Sequence, residues 1–116
     1  MTDLAPRAGE SGTPFQIQRD SSEQGAVLIK LRGELDLSTV SELERLLVEC
    51  ERDAASDVVI DLEEVEFMDS TGLAVIIAAG QAAQANGYQL RLRQGSPQVQ
   101  RLFKLTGVLD RFTFVD

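Results

Sequence analysis

The sequence predicts a single α/β domain with a mixed, mostly parallel β-sheet, an N-terminal β-hairpin and three helices. Three observations predict this class. The chain has 116 residues, a common size for one domain with one core. Apolar runs typical of strands alternate with segments whose apolar residues recur at helical spacing. Only the first two strand-like runs are joined by a short link, so these two should pair as a hairpin.

The chain begins with a polar segment that precedes the hairpin. Residues 1–13 contain Gly, Pro, Ser and Thr without a hydrophobic period, so we expect a flexible tail followed by a domain over residues 14–116. Residues 15–18 alternate apolar and polar side chains, and residues 26–31 are rich in strand-forming types. The turn-like residues 20–25 between them favour a hairpin.

The first helix follows the second strand, which ends at residues 33–36. Apolar side chains recur at helical spacing from Ser38 to Cys50, and either Asp36 or Ser38 can cap this helix. Residues 57–62 are an apolar run that fits a strand covered on both faces. We expect residues 63–67 to be a connector.

The C-terminal half continues the alternation of helix and strand. A second helix is predicted over residues 70–86, where Asn86 and Gly87 form a stop signal. Residues 88–93 alternate as a strand, and Ser96–Pro97 is typical of the cap and first position of a third helix. A last short strand is expected over residues 112–115. The helices between strands imply right-handed crossovers and parallel pairing.

Composition and charge exclude several classes of function. The net charge is −8, which argues against nucleic acids and anionic membrane surfaces as partners. The chain has no histidine, so His-based triads and His metal sites are excluded. A lone Cys50 cannot form an intramolecular disulfide, and we expect a plain buried thiol. Without a long apolar run or an apolar signal core, we expect a cytoplasmic protein.

Catalytic motifs are missing from the sequence, so we expect no enzyme activity. The nine glycines form neither a dinucleotide fingerprint nor a P-loop. Asp69–Ser70–Thr71–Gly72 has one residue more than the Asp-Thr/Ser-Gly motif of an aspartic protease. Asp61 could accept a phosphoryl group as in a receiver domain, but the acidic pair that would hold Mg²⁺ is missing. We therefore expect Asp61 to be a structural residue at the end of a strand.

The segment Met68–Asp69–Ser70–Thr71–Gly72–Leu73 stands at the start of the second helix. Asp69 or Ser70 can cap that helix, and this structural role alone explains the residue types. A helix N-terminus also offers free N–H groups and partial positive charge that tolerate a phosphate. A phosphoserine at position 70, beside Asp69, would carry a charge of about −2.5 to −3 and repel a partner docked there. The pattern favours a switch that blocks binding and leaves the fold intact.

Four blocks in order resemble the STAS domain family. They are residues 33–36 (GELD), 59–62 (VIDL), 67–73 (FMDSTGL) and 99–107 (VQRLFKLTG). The resemblance covers about residues 14–116, and within the family the chain most resembles bacterial anti-sigma factor antagonists.

The resemblance implies a mechanism of partner switching. The unphosphorylated antagonist would bind an anti-sigma factor that is also a serine kinase, which frees the sigma factor for transcription. The kinase would then use ATP to phosphorylate Ser70, and the phosphorylated form would dissociate. A PP2C-type phosphatase would restore the binding form. Neither a cofactor nor a metal is expected. The alternative is a STAS subunit of a transporter or stress-signalling assembly that does not cycle through phosphate.

The resemblance also implies the residues of the site. Asp69 would orient the acceptor Ser70, while Thr71 and Gly72 would form a docking turn beside the loop that begins at Gly33. Thr71 stands where many members have a second Ser, so it could compete with Ser70 as acceptor. The implied partner-binding residues are Gly33, Glu34, Asp36, Asp69, Ser70, Thr71 and Gly72.

Overall fold

A computed structural model describes residues 13–115, which form a five-stranded sheet and three α-helices. In chain order the elements are β1 (Gln16–Ser21), β2 (Ala26–Leu35), α1 (Val40–Arg52), β3 (Asp57–Met68), α2 (Ser70–Asn86), β4 (Gln89–Arg93), α3 (Pro97–Leu105), a 3₁₀ turn (Leu109–Arg111) and β5 (Phe114–Val115). The predicted α/β class and element order are confirmed. The expected flexible tail lies, apart from Thr13, outside the described residues, so the division into tail and domain stays a prediction.

The strands lie side by side in chain order. The pair β1–β2 is antiparallel, and β2–β3, β3–β4 and β4–β5 are parallel. The carboxyl ends of β2 and β3 are in register, with Leu35 opposite Met68. The first residue of β1, Gln16, pairs with Arg32 near the same edge. One edge of the sheet therefore collects the ends of β2 and β3, the start of β1 and the residues that lead into α1 and α2.

The expected connector over residues 63–67 is wrong, because β3 continues through it to Met68. This second half of β3 pairs only with β2, since β4 reaches no further than Asp61. Two register shifts in β2, at Lys30/Arg32 and Gly33/Glu34, break the alternation of buried and exposed residues there. Asp61 accordingly lies within the strand rather than at its end.

The first helix begins at Val40, two residues later than predicted. Thr39 occupies the N-cap position and makes no side-chain cap bond, so the expected cap by Asp36 or Ser38 is wrong. The predicted apolar face is confirmed, and its buried members are Val40, Leu43, Leu46, Leu47 and Cys50.

The ends of the other helices follow the predicted signals. Asp69 caps α2, and Gly87 ends it with a left-handed φ of 77°. In α3, the Ser96 hydroxyl accepts from the Val99 N–H at 3.3 Å, and Pro97 is the first helical residue. The sequence predicts these helix ends because each signal depends only on residues that are close together in the chain.

The core lies between one face of the sheet and the helices. Strand residues such as Ile29, Ile60 and Leu92 belong to the same buried cluster as helix residues Leu43 and Ile76. Phe103 of α3 is fully buried and meets the rings of Phe112 and Phe114 edge-on, with centroids 5.7 and 5.9 Å apart. Within the described chain, no helix is both long and apolar enough to cross a membrane.

Candidate functional site

The start of α2 presents a serine on a capped helix end. Asp69 is extended, with φ −98° and ψ −176°, and its Oδ1 accepts from the Gly72 N–H at 2.9 Å. The cap is therefore Asp69, and Ser70 is the first helical residue, exposed to solvent. Thr71 is half-buried. Because Asp69 does the capping, the Ser70 hydroxyl is not needed to satisfy the free N–H groups of the first turn.

The end of β2 fixes the position of this helix end. The Asp69 N–H donates to the Leu35 carbonyl oxygen at 3.3 Å. Gly72 packs on the same carbonyl group so closely that a Cβ at position 72 would lie 2.6 Å from the oxygen. The first turn of α2 and the segment after β2 are therefore held together by backbone contacts.

The loop from β2 to α1 is held by its own hydrogen bonds. The Thr39 hydroxyl donates to the Glu34 carbonyl oxygen at 2.8 Å and accepts from the Asp36 N–H at 3.0 Å. Asp36 Oδ1 accepts from the Ser38 N–H at 2.9 Å and from the Ser38 hydroxyl at 2.6 Å. Such side-chain bonds to nearby backbone groups stabilise a turn without help from a helix or a sheet.

Gly33 lies within β2 rather than in the loop, and it lets the residues before β1 pack closely on this strand. Its φ is +95°, and a Cβ there would lie 3.1 Å from both the Pro14 carbonyl oxygen and the Phe15 Cα. The Thr13 hydroxyl donates to Glu66 Oε2 at 2.9 Å, which ties the same segment to β3. A side chain at position 33 would be strained by its backbone conformation and would press on this segment.

The structure brings all seven predicted site residues to this edge of the sheet and divides them by exposure. Gly33, Glu34 and Gly72 are buried, so they shape the edge rather than offer side chains to a partner. The residues that reach the surface are Asp36, Asp69, Ser70 and Thr71. Their contact with a partner stays a prediction.

Two exposed apolar side chains at this edge are not among the predicted site residues. Leu37, between Asp36 and Ser38, is 77% exposed, and Phe67 at the end of β3 is 39% exposed. An apolar residue inside the polar run 36–39 was the available signal for Leu37. For Phe67 there is no such signal, because the predicted connector over residues 63–67 places it outside a strand.

Two groups with a shifted pKa lie away from the site. Burial raises the pKa of the Cys50 thiol, near the C-terminus of α1. Burial and a hydrogen bond to Glu51 raise the pKa of Tyr88, which follows the C-terminus of α2. Both residues lie at the helix ends opposite the site. Over residues 13–115, no group of three or more His, Cys, Asp or Glu side chains could hold a metal ion.

Comparison with known proteins identifies the family. A family model described as the STAS domain matches residues 19–116. The chain belongs to the STAS domain family. The anti-sigma-B factor antagonist of Staphylococcus aureus is 39% identical over 82 residues, which cover 71% of this chain and 76% of that protein. The resemblance found in the four sequence blocks is thereby confirmed.

Solved structures confirm the fold. The anti-sigma factor antagonist SpoIIAA in its unphosphorylated form gives a TM-score of 0.75 at 22% identity, over 87% of this chain and 89% of that chain. The Bacillus cell fate determinant SpoIIAA in its phosphorylated form gives a TM-score of 0.70 at 22% identity, over 87% and 92%. Both similarities concern the fold.

Proposed function

We propose that this STAS-domain protein is an anti-sigma factor antagonist that a serine kinase switches off by phosphorylating Ser70. In its unphosphorylated form it binds an anti-sigma factor that is also that kinase, and binding frees the sigma factor. The observation that carries the proposal is the exposed Ser70 on a helix end capped by Asp69. The name of the relative from Staphylococcus aureus, an anti-sigma-B factor antagonist, supports the same function.

The phosphoryl transfer itself is carried out by the kinase. The Ser70 hydroxyl oxygen forms the new P–O bond, the bond to the β-phosphate of ATP breaks, and ADP leaves. A base on the kinase takes the hydroxyl proton. This chain supplies an exposed acceptor on a rigid helix end, and its function is binding rather than catalysis. Sigma factors act in the cytoplasm, where we place the protein.

Phosphorylation at this position changes the charge of the surface without removing a contact that holds the fold. The Ser70 side chain is exposed, while the cap bond and the bond to Leu35 belong to Asp69. A phosphate at a helix N-terminus is also electrostatically favourable. In the complex, however, phosphoserine would lie beside Asp69 and the phosphates of the bound nucleotide. This repulsion between like charges releases the kinase.

The first test is phosphate transfer. The protein is incubated with ATP and each candidate anti-sigma kinase of its own genome. The intact mass of the protein is then measured, and the phosphorylated residue is mapped. We expect one added phosphate, lost in Ser70→Ala and retained in the matched control Thr71→Ala. Added phosphate that survives Ser70→Ala and disappears in Thr71→Ala would move the acceptor to Thr71.

Dephosphorylation and binding complete the test. A PP2C-type phosphatase should remove the phosphate, since Ser70 is exposed. Ser70→Ala should keep the affinity of the unphosphorylated protein for the kinase, and Ser70→Asp should weaken it. If no kinase modifies or binds the protein, the antagonist proposal fails, and a non-cycling STAS subunit of a larger assembly becomes the better explanation.

A further inference from the structure

Large apolar side chains are exposed at only a few places on the described chain. Those that the structure records are Leu37 (77% exposed), Val48 (62%), Phe67 (39%) and Leu105 (71%). Val48 lies on α1 and Leu105 at the end of α3, and single exposed side chains of this kind are ordinary. Leu37 and Phe67 differ because both lie at the edge that carries Ser70.

The bond between Asp69 and Leu35 determines how near these side chains are to the switch. Leu37 follows Leu35 by two residues, and Phe67 precedes Asp69 by two residues. Two residues span at most about 7 Å of chain, so both lie within about 7 Å of this bond along their own segments. Ser70 is the next residue after Asp69. A standard interface covers about 800 Å² on each partner, a patch of about 16 Å radius, which includes all three residues.

Leu37 is exposed on a loop that is already rigid. The Thr39 hydroxyl and the Asp36 carboxylate bond the backbone on both sides of Leu37, as described above. Binding through such a loop costs little conformational entropy, because the loop is ordered before the partner arrives. A large apolar side chain presented this way has the properties of an interface anchor that fills a pocket and is shielded there from water.

We propose that Leu37 is the apolar anchor of the kinase interface and inserts into an apolar pocket of the kinase, with Phe67 at the margin of the contact. This deepens the proposed function and rests on it. The charge of the edge defines the rest of the partner surface. Residues 35–39 and 66–71 contain the three acidic residues Asp36, Glu66 and Asp69, all of which reach the surface, and no Lys or Arg. The pocket that receives Leu37 is therefore bordered by basic side chains.

The anchor and the phosphate switch act through different physical effects. Leu37 contributes burial of apolar surface in the unphosphorylated complex, whereas phosphate on Ser70 adds charge at a different position. Removing the Leu37 side chain should therefore weaken the unphosphorylated complex. The variant with both Leu37→Ala and Ser70→Asp should bind more weakly than either single variant, because one change removes apolar burial and the other adds charge.

The test measures binding to the kinase found by phosphate transfer, with ADP in place of ATP so that Ser70 stays unmodified. Leu37→Ala should raise the Kd about tenfold or more, and Leu37→Met should restore most of the affinity. Leu105→Ala is the matched control, an equally exposed leucine on α3, and should leave the Kd unchanged. Thermal unfolding of each variant is measured to check that the fold is intact.

The outcomes separate this inference from the function on which it rests. If the wild-type protein binds a kinase and Leu37→Ala binds equally well, the anchor is overturned and the antagonist function stands. A loss of affinity in Leu105→Ala alone would place the interface on α3 and would also overturn the proposal that Leu37 is the anchor. If the wild-type protein neither binds nor is modified by any kinase, the antagonist function and the anchor both fall.

Discussion

Gly72 and Leu35 are in such close contact that a Cβ atom at position 72 would lie 2.6 Å from the Leu35 carbonyl oxygen. The same carbonyl oxygen accepts the Asp69 N–H. The end of β2 and the first turn of α2 are thus one packed unit, and the position of Ser70 relative to the loop around Asp36 depends on it. Because the atom in the way belongs to the backbone, it cannot turn aside as a side chain would.

Gly72→Ala should therefore destabilise the protein. Alanine normally stabilises a helix relative to glycine by about 0.5–1 kcal/mol. A loss of stability in Gly72→Ala would therefore have to come from the close contact with Leu35. We expect a net loss of about 1–3 kcal/mol in the free energy of unfolding, the usual cost of overpacking. Urea denaturation measures it. The midpoint temperature of thermal unfolding should fall as well.

Gly80 in the same helix provides the control for this substitution. A Cβ there would lie 3.0 Å from Phe112 Cε1, at the far end of a partly buried side chain. That ring can shift, so Gly80→Ala should cost clearly less than Gly72→Ala. Equal losses for the two variants would show that the backbone contact with Leu35 is not what makes position 72 special.

Asp69 combines a structural role with a proposed electrostatic one, and two substitutions separate them. Asp69→Ala removes the acceptor of the Gly72 N–H and should cost about 1 kcal/mol of stability. Asp69→Asn keeps a capping oxygen and should unfold close to the wild-type urea midpoint. It also removes the negative charge beside Ser70, so phosphorylation of Asp69→Asn should weaken kinase binding less than phosphorylation of the wild type. An equal weakening would contradict the charge-based account of release.

The site was more predictable than the strands that position it. A cap at Asp69 or Ser70, a helix over residues 70–86 and the stop at Gly87 follow from short-range rules, and in the structure Asp69 is the cap. The path of β3 beyond Asp61 does not, because two register shifts in the neighbouring β2 decide which side chains are buried there. The exposure of Leu37 depends on hydrogen bonds of Thr39 and Asp36 that no hydrophobic period shows.

An ion pair across two strands of the sheet, with a buried carboxylate, predicts a difference in stability between two arginine variants. Asp61 is only 2% exposed, and its Oδ2 accepts from Arg93 Nη1 at 3.1 Å across β3 and β4. Arg93→Met would leave this carboxylate buried without the guanidinium. Because Arg93 is partly exposed and the Glu63 N–H still donates to Asp61, we expect a loss of about 2 kcal/mol, below the range for fully buried pairs.

Arg91 supplies the matched control, since it is on the same strand and also pairs with an aspartate. Its Nη2 lies 2.6 Å from Asp57 Oδ2, but both side chains are about one third exposed, at 34% and 30%. Arg91→Met should therefore cost less than about 1 kcal/mol. The losses of stability in Arg91→Met and Arg93→Met are compared through their midpoints of urea denaturation. A cost for Arg91→Met as large as that for Arg93→Met would show that burial of the carboxylate does not decide the effect.

The two groups with shifted pKa predict a loss of stability at alkaline pH. Burial raises the pKa of Cys50 above its ordinary value of 9.0, and burial with the hydrogen bond to Glu51 raises the pKa of Tyr88 above 10.0. Below these ordinary values both groups are protonated in the folded and the unfolded chain, so they do not affect stability. Above them the unfolded chain releases protons that the folded chain retains. The free energy of unfolding should therefore fall as pH rises past about 9, by up to about 1.4 kcal/mol per pH unit for each group.

Tyr88→Phe isolates the contribution of the phenol. Its hydroxyl donates to Glu51 Oε2 at 3.0 Å, so the variant should lose a little stability at neutral pH. Above about pH 10 it should lose stability less steeply than the wild type, because one proton fewer is released on unfolding. Urea denaturation at about pH 8 and about pH 10.5 gives both slopes. Parallel slopes would mean that Tyr88 ionises alike in the folded and unfolded chain, and that its bond to Glu51 does not hold the phenolic proton.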